Sequence, residues 1–441
     1  MTQQKEKRMT VTIEGQGFGG EGYVQPSPGR FVSVPHTLEG DVVEIEVGDF
    51  HRGRAWAVAL SWESKNPAHV DPRCEDYGRC SGCALRHISL RDEMTWKKAQ
   101  IIEILERYGP ASCSGLEVEL VCAGSRQGHR SRGRFRVKVD ESGRVKVGLR
   151  GLNLEGEPVD IRGCPAQASL FRDTLARVAD VLDQDPEAAR QVVDIEIWTG
   201  EGEALVLVEV DREEALVTMR APLATAALPK ATTALGLRHE GETVMVHGEP
   251  VVPVHHRWGR QKVRVSAPPT SWTHANPAAA ARLIDWVDRQ VQGGRHRVAL
   301  DLCCATGTLT LHLAHNFEKI FAVDEDHLAI AALREACVTA GIEGVEFRAG
   351  RASKVVRKLC RERARPTLAI INPMRRPLGR KELREIALLG VEEVLYLGPS
   401  AVSTAKDSVV LEELGFKPTK AAIINLHPGT SQTMLGMVWS R

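Results

Sequence analysis

Residues 298–317 read VALDLCCATGTLTLHLAHNF, and this stretch decides the fold. VALDL is an apolar run of strand character, and TLTLHLAHNF has the pattern of a helix. Between them lies a short turn, Cys303-Cys304-Ala305-Thr306-Gly307, with Thr308 opening the helix. Small residues such as Ala305 and Gly307 let a ligand approach the backbone, and a helix N-terminus favours a negative group. The next strand, in FAVDED, ends at Asp324, where a carboxylate can accept from both hydroxyls of a ribose. The ordered set of strand, loop, helix, strand and acid predicts a nucleoside site. Because the loop lacks GxGxxG, S-adenosylmethionine is a better expectation than a dinucleotide.

Downstream the alternation continues. HLAIAALREACVTAG, VEFRAG, TLAIIN, ELREIALLG, EVLYLG and AKDSVVLEELGF alternate helix and strand. Such alternation predicts a parallel sheet with crossover helices, a Rossmann-like α/β domain over residues 269–441. The final runs, KAAIINLHPG and TMLGMVWS, are expected to form a hairpin at one edge of that sheet.

Upstream the character changes. Residues 9–62 hold five short runs of period-2 alternation bounded by Gly, Pro and Asp, as in a small OB-like barrel, which defines a first domain over 1–65. Residues 66–268 form a central, β-rich domain. It opens with a loop at 71–83 and a helical stretch, SLRDEMTWKKAQIIEILERYG, and carries one more helix around 167–183. The expected fold is multidomain, α/β plus β.

Basic side chains number 58 and acidic ones 57, a net charge of +1, which argues against a generic polyanion coat but leaves local basic patches open. No run of about 18 uncharged apolar residues is present, so a membrane span is not expected. The charged N-terminus, MTQQKEKRMT, lacks a secretory apolar stretch. The expectation is a cytoplasmic monomer.

In a reducing cytosol, clustered cysteines point to metal or redox chemistry rather than disulfides. Of ten cysteines, Cys74, Cys80 and Cys83 cluster in the loop DPRCEDYGRCSGCAL, and Cys164 in RGCPAQ is the best fourth ligand. Zinc and an iron–sulfur cluster both accept four thiolates; the spacing lacks the paired CxxC of zinc ribbons, which favours [4Fe–4S]. Cys113, Cys122, Cys337 and Cys360 read as ordinary core or partly exposed thiols, and His87 as a solvated or capping residue.

With these residues in view, the chain resembles the RNA uracil-C5 methyltransferase family over nearly its whole length. That family joins a TRAM barrel, a four-cysteine [4Fe–4S] site and a class I S-adenosylmethionine-dependent methyltransferase domain. GFGGEGYVQPSPGRFVSVPHTLEGD is similar to the TRAM pattern, and Cys74, Cys80, Cys83 and Cys164 match the cluster ligands. HRSRGRFRV and VGLRG match the arginine-rich strand and hairpin of the central domain. DLCCATGTLTL matches DLFCGxGxFTL, with Ala305 in place of its first glycine, and Asp324 matches the ribose acid.

The resemblance also implies what is missing. Uracil C5 becomes nucleophilic when a cysteine thiolate adds to C6, and a base then removes the C5 proton. The family carries the cysteine in SCNP and the base as the glutamate of PHTxHxE. Here VLYLGPSAVSTAKD, anchored on Lys406-Asp407, places Pro399 at the nucleophile position, and no cysteine follows Cys360. LHPGTSQTM places Thr433 or Met434 at the base position. Ser400 and Ser403 are poor substitutes, being unactivated hydroxyls. The FFQxN motif reads WTHAN, with His274 for glutamine. DPPR reads Asn372-Pro373-Met374-Arg375, and Arg351 stands where a polar residue lies near adenine. Losing a carboxylate at Asn372 and gaining a cation at Arg351 disfavour a sulfonium, so weak or lost S-adenosylmethionine binding is expected.

The RNA-facing residues persist. If this run is a strand, Arg130, Arg132, Arg134 and Arg136 are expected to share one face, as a phosphate-contacting ridge requires. HHRWGRQKVR (255–264) interleaves cations with Trp258, which can stack on a base, and MRRPLGRK (374–381) brings Arg375. The expectation is a protein that binds structured rRNA or tRNA, with methyl transfer altered or lost. The rival expectation is a non-catalytic RNA-binding pseudoenzyme or assembly factor on the same scaffold, and a weaker third is a cluster-dependent redox role.

Overall fold

The computed structural model describes residues 8–122, 124–152, 156–225, 227–258, 261–292, 296–373 and 375–441. The N-terminal strands coil into one six-stranded sheet. In spatial order they are Arg8–Thr12, Val42–Val47, Arg54–Ser64, Arg30–Val34, Gly22–Ser27 and Gly15–Gln16. Alternation drives the core: Val43, Ile45 and Val47 turn inward to meet Ile13, Val32, Val34 and Ala57. The sequence suggests five runs; the structure has six. MTVTIEGQG splits because Ile13 N donates to Asp41 O and Glu14 N to Tyr23 O, breaking the ladder.

The central sheet has seven strands, ordered Pro158–Asp160, Val145–Arg150, Arg132–Val139, Val192–Gly200, Glu203–Val210, Thr232–His239 and Glu242–His247. The helix Ser169–Gln184 buries Phe171, Leu175, Val178 and Leu182 against Phe135, Ile195, Ile197, Val206 and Val208 of this sheet. Its position is the one the periodicity predicts.

The C-terminal sheet has eight strands. Their order is Val345–Ala349, Lys319–Asp324, Val298–Leu302, Leu368–Ile371, Glu393–Gly398, Met434–Ser440, Lys417–Asn425 and Val118–Cys122. The first five are parallel, Met434–Ser440 runs antiparallel to both neighbours, and Val118–Cys122 adds in parallel. The strand order reverses between Val298–Leu302 and Leu368–Ile371, and ligands bind outside the carboxyl ends at such a switch point. The expected final hairpin forms, but it does not end the sheet. Met434–Ser440 inserts between Glu393–Gly398 and Lys417–Asn425, whose far side is covered by Val118–Cys122.

Besides Val118–Cys122, two more segments from earlier in the chain belong spatially to this sheet. The helix Leu90–Tyr108, capped by Ser89 Oγ accepting from Asp92 N, packs Ile101, Ile104 and Leu105 on one face. On the other, the hairpin Val252–Trp258/Gln261–Ala267 buries Val263 and Val265 beside Leu283 and Trp286 of the helix Pro277–Val291. Among the described residues, no helix is long and apolar enough to cross a membrane.

Candidate functional site

The loop after Val298–Leu302 winds through left-handed backbone three times, at Cys303 (φ 61°), Ala305 (φ 48°) and Gly307 (φ 84°). Cys303 N and Cys304 N both donate to Val323 O. Only glycine fits at 307: its φ is positive, and a Cβ there would lie 2.3 Å from Leu333. The glycine therefore serves helix packing within the loop. Cys303, Ala305 and Thr308 remain half-buried at the lip.

Asp324 is tied to this loop. Its Oδ2 accepts from Ala305 N at 2.8 Å and its Oδ1 from Asp326 N at 2.9 Å. Each oxygen keeps a second acceptor site for a hydroxyl. Burial pushes this carboxyl above its usual range, against the lowering effect of those two N–H groups. Beneath it, Asp301 accepts from Thr310 Oγ1 at 2.6 Å, while its buried Oδ1 has no partner. Burial raises the Asp301 carboxyl to about 7.

Sequence reading missed His256 and Ser271. His256 is buried on the hairpin, with Nε2 3.2 Å from Thr306 Oγ1, and burial lowers it to about 3. Ser271 Oγ donates to Asp326 Oδ2 at 2.6 Å. The alternation of VPVHHRW could have turned His256 inward. His274 is half-buried, its ring edge-on to Trp272 at 4.4 Å, and burial lowers it to about 4. Asn372 is half-buried with its N–H on Leu302 O at 3.2 Å, and Arg351 is exposed at the start of the helix Ala352–Arg361.

Pro399 follows the strand Glu393–Gly398 and is half-buried. Ser400 caps the helix Ala401–Glu413, its Oγ accepting from Ser403 N, and Ser403 Oγ donates to Arg375 O at 2.8 Å. Neither serine has an imidazole or carboxylate partner among the described residues. Asp407 accepts from Leu378 N, Gly379 N and Tyr396 Oη at 2.7, 3.1 and 2.5 Å, fixing the loop that carries Arg375. Thr433 Oγ1 donates to Ser431 O, and Met434 is buried in the core.

The preceding loop is held from below. Glu93, fully buried, accepts from Gly429 N at 3.0 and 2.9 Å, from Asn425 Nδ2, from Lys97 Nζ at 2.8 Å and from Arg126 at 2.6 Å. His427 is half-buried above this network and is lowered to about 4, by burial first and then by the charges of Arg130, Lys97, His129 and Arg375. Arg130, Lys97 and Arg375 thus lie within electrostatic reach of a neutral His427.

Cys74, Cys80, Cys83 and Cys164 are all partly buried and free. Burial pushes the Cys80 thiol up to about 12, with Cys83, Cys164 and Cys74 adding to the rise, so the four sit within electrostatic reach of one another. Among the described residues they do not converge with metal-ligand spacing. The donor set fits a four-thiolate centre in chemistry and neighbourhood; ligand geometry would require the thiols to close in. His87 departs from its expected exposure. It is buried, its Nδ1 2.6 Å from Tyr77 Oη.

Arg132, Arg134, Arg136 and Lys138 alternate with buried Gly133, Phe135 and Val139. Arg134 pairs with Asp194 at 2.8 Å, and Arg132 lies over the Trp198 ring at 5.2 Å and donates to Ser271 O. Arg130 precedes this strand rather than sharing its face, bridged to Gln167, and its Nε donates to Arg132 O, while Arg136 and Arg375 are exposed. Trp258 is half-buried against the C-terminal core. Residues 259–260 and Met374, which belong to the two basic loops, lie outside the described residues.

A reversed-order sheet with an acid-tied loop at its switch point is the fold of class I methyltransferases. The model of the tRNA (uracil-5-)-methyltransferase family matches residues 127–371, more than half of the chain, and the chain belongs to that family. An uncharacterized RNA methyltransferase of Caulobacter vibrioides is 30% identical, covering 92% of this chain and 94% of its own. The 23S rRNA (uracil(1939)-C(5))-methyltransferase RlmD of Halomonas elongata is 26% identical over 97% of this chain and 88% of its own. In fold, the chain is similar to the crystal structure of Pyrococcus abyssi tRNA (uracil-54, C5)-methyltransferase in complex with S-adenosyl-L-homocysteine. There the TM-score is 0.72 at 17% identity, covering 98% of this chain and 100% of that one.

Proposed function

We propose that this protein binds structured rRNA or tRNA in the cytoplasm as a monomer and has lost the thiolate route to uracil C5 methylation. The observation that carries this reading is the end of the strand Glu393–Gly398. It runs into Pro399 and a capping serine, and the sequence has no cysteine after Cys360. Without a thiolate at C6, C5 stays too poor a nucleophile to take a methyl group. Neutral His427 and His274 could accept a proton, but a base alone does not create the enolate.

The loop Cys303–Thr308 and Asp324 support an S-adenosyl nucleoside site, with Asp324 accepting from the ribose. Asn372 is neutral and Arg351 and Arg375 are cationic, which weakens attraction for a sulfonium relative to a neutral thioether. Arg130, Arg136 and Arg375 support an RNA-facing surface. We assign Cys74, Cys80, Cys83 and Cys164 to a [4Fe–4S] site that ties the loop at 71–83 to the central sheet. We divide the chain into a TRAM-like barrel (1–65), a central domain (66–268) and a methyltransferase domain (269–441), with the helix at 90–108, the strand at 118–122 and the hairpin at 252–267 packed on the last.

Calorimetry with S-adenosylmethionine and S-adenosylhomocysteine tests the cofactor site; the expected result is weak binding that favours the thioether. RNA mass spectrometry of a deletion strain tests the chemistry. A lost 5-methyluridine, restored by the wild-type gene, would overturn the reading.

A further inference from the structure

Arg86 is only 3% exposed, yet among the described residues no carboxylate pairs with it. Its Nε donates to Pro72 O at 3.1 Å and its Nη1 to Arg126 O at 3.0 Å, both neutral carbonyls. Burying a charge is costly unless an opposite charge accompanies it. The two other cations of this region meet that condition, because Lys97 and Arg126 both pair with Glu93. One carboxylate shared by two cations leaves nothing for a third. Arg86 therefore needs an anion of another kind.

The group beside it is sulfur. A Cβ on Gly429 would lie 3.0 Å from Arg86 Cγ and 4.0 Å from Cys83 Sγ, so the arginine stem and that thiol flank one backbone position. Leu85 N donates to Gly429 O at 2.9 Å, which seats the loop at 427–433 against the pair. Pro72, the acceptor for Nε, lies shortly before Cys74. Burial pushes the Cys83 thiol up, and the Arg86 charge is the strongest influence holding it down. Burial likewise raises Cys74, and Arg86 is among the groups that lower it.

We propose that Arg86 is the buried counter-charge of a metal centre on Cys74, Cys80, Cys83 and Cys164, and keeps those sulfurs as thiolates. The role rests on the assignment of these four cysteines made above. A metal takes cysteine as thiolate, and four thiolates around one core leave net negative charge for a neighbouring cation to balance. The two carbonyl contacts aim the guanidinium, and its charge is the operative feature. Lysine should therefore replace it, and a neutral side chain should not.

The test uses the full-length protein purified without oxygen. Metal and sulfide analysis of the wild type examines the assignment by itself. Iron with sulfide supports the cluster; zinc sinks the cluster but leaves the counter-charge to be measured; no metal overturns both. The rate at which excess chelator strips the bound iron or zinc then reads the role of Arg86. Arg86→Gln should lose metal at least about tenfold faster than wild type, because it leaves the thiolates without their cation. Arg86→Lys keeps the charge but cannot reproduce the forked carbonyl contacts, and should stay within about threefold of wild type. Thermal unfolding shows which variants fold, and if Arg86→Gln does not, Arg86→Lys decides alone. Two results overturn the proposal: an Arg86→Gln protein that holds metal like wild type, or an Arg86→Lys protein that loses it at least about tenfold faster, which would make the carbonyl contacts the operative feature.

Discussion

At Asp301 a carboxylate stands beneath the ligand loop, with one oxygen on Thr310 and the other unpartnered. Its folded value of about 7 exceeds the ordinary 3.8, so between those values the native state binds more protons than the unfolded one. Stability therefore falls as pH rises from about 4 to about 7 and is flat above, by at most on the order of 4 kcal/mol. Asp301→Asn should remove this slope, leaving a pH-independent offset. Urea unfolding at acidic and mildly alkaline pH checks it, and parallel profiles for the two proteins would sink the idea. Asp324 has a different job. Asp324→Ala strips the loop of its anchor at Ala305 and the ribose of an acceptor, and should weaken S-adenosylhomocysteine binding at least about tenfold by calorimetry, a loss of about 1.4 kcal/mol. Asp324 was legible in the sequence because it ends a strand. The unpartnered oxygen of Asp301 was not, since only packing decides which groups lose water.

At the scale of elements, the helix Leu90–Tyr108 was readable from its periodicity, but its partner was not. Its Lys97 reaches Asn425 and the His427 carbonyl, more than three hundred residues later in the chain, and Gly429 donates to Glu93 with its backbone N–H. The burial of both charges follows from their mutual pairing and from Asn425 and Arg126, contacts that no local pattern encodes. Lys97→Met keeps the apolar stem and leaves Glu93 short of a cation, so it should destabilise the protein by about 3–5 kcal/mol. The same change should loosen the loop, seen as faster proteolytic cleavage near His427. A stability loss below about 1 kcal/mol would mean that Arg126 alone satisfies Glu93. His87 shows the same limit. It is buried because His36 of the N-terminal domain and His69, distant in sequence, pack beside it.

At the scale of the whole molecule, the α/β order was legible because strand and helix periods alternate, whereas the eighth strand of the sheet was not, because Val118–Cys122 arrives from the other side of the central domain. The same tertiary context decides whether the family's chemistry could be put back. Pro399→Cys places a thiol directly after Gly398, and a Cβ on Gly398 itself would meet Thr404 Oγ1 at 1.6 Å. That closeness marks a strand end packed tightly against the helix Ala401–Glu413. Met434→Glu moves a carboxylate into a position only 3% exposed, among Trp286, Leu426 and Val438. A buried carboxylate without a partner is strongly disfavoured, and it takes up a proton instead of acting as a base. The paired substitution should therefore give a less stable protein that still fails to methylate. RNA bearing 5-fluorouridine traps a thiolate enzyme as a covalent complex in the presence of S-adenosylmethionine. Denaturing gels should show no complex for wild type. For the Pro399→Cys/Met434→Glu protein they should show at most a trace, because cationic Arg351 and Arg375 and neutral Asn372 still disfavour the sulfonium. A stable adduct with the wild-type chain would mean that one of its ten cysteines reaches the pyrimidine after all, and the proposed loss of the thiolate route would fall.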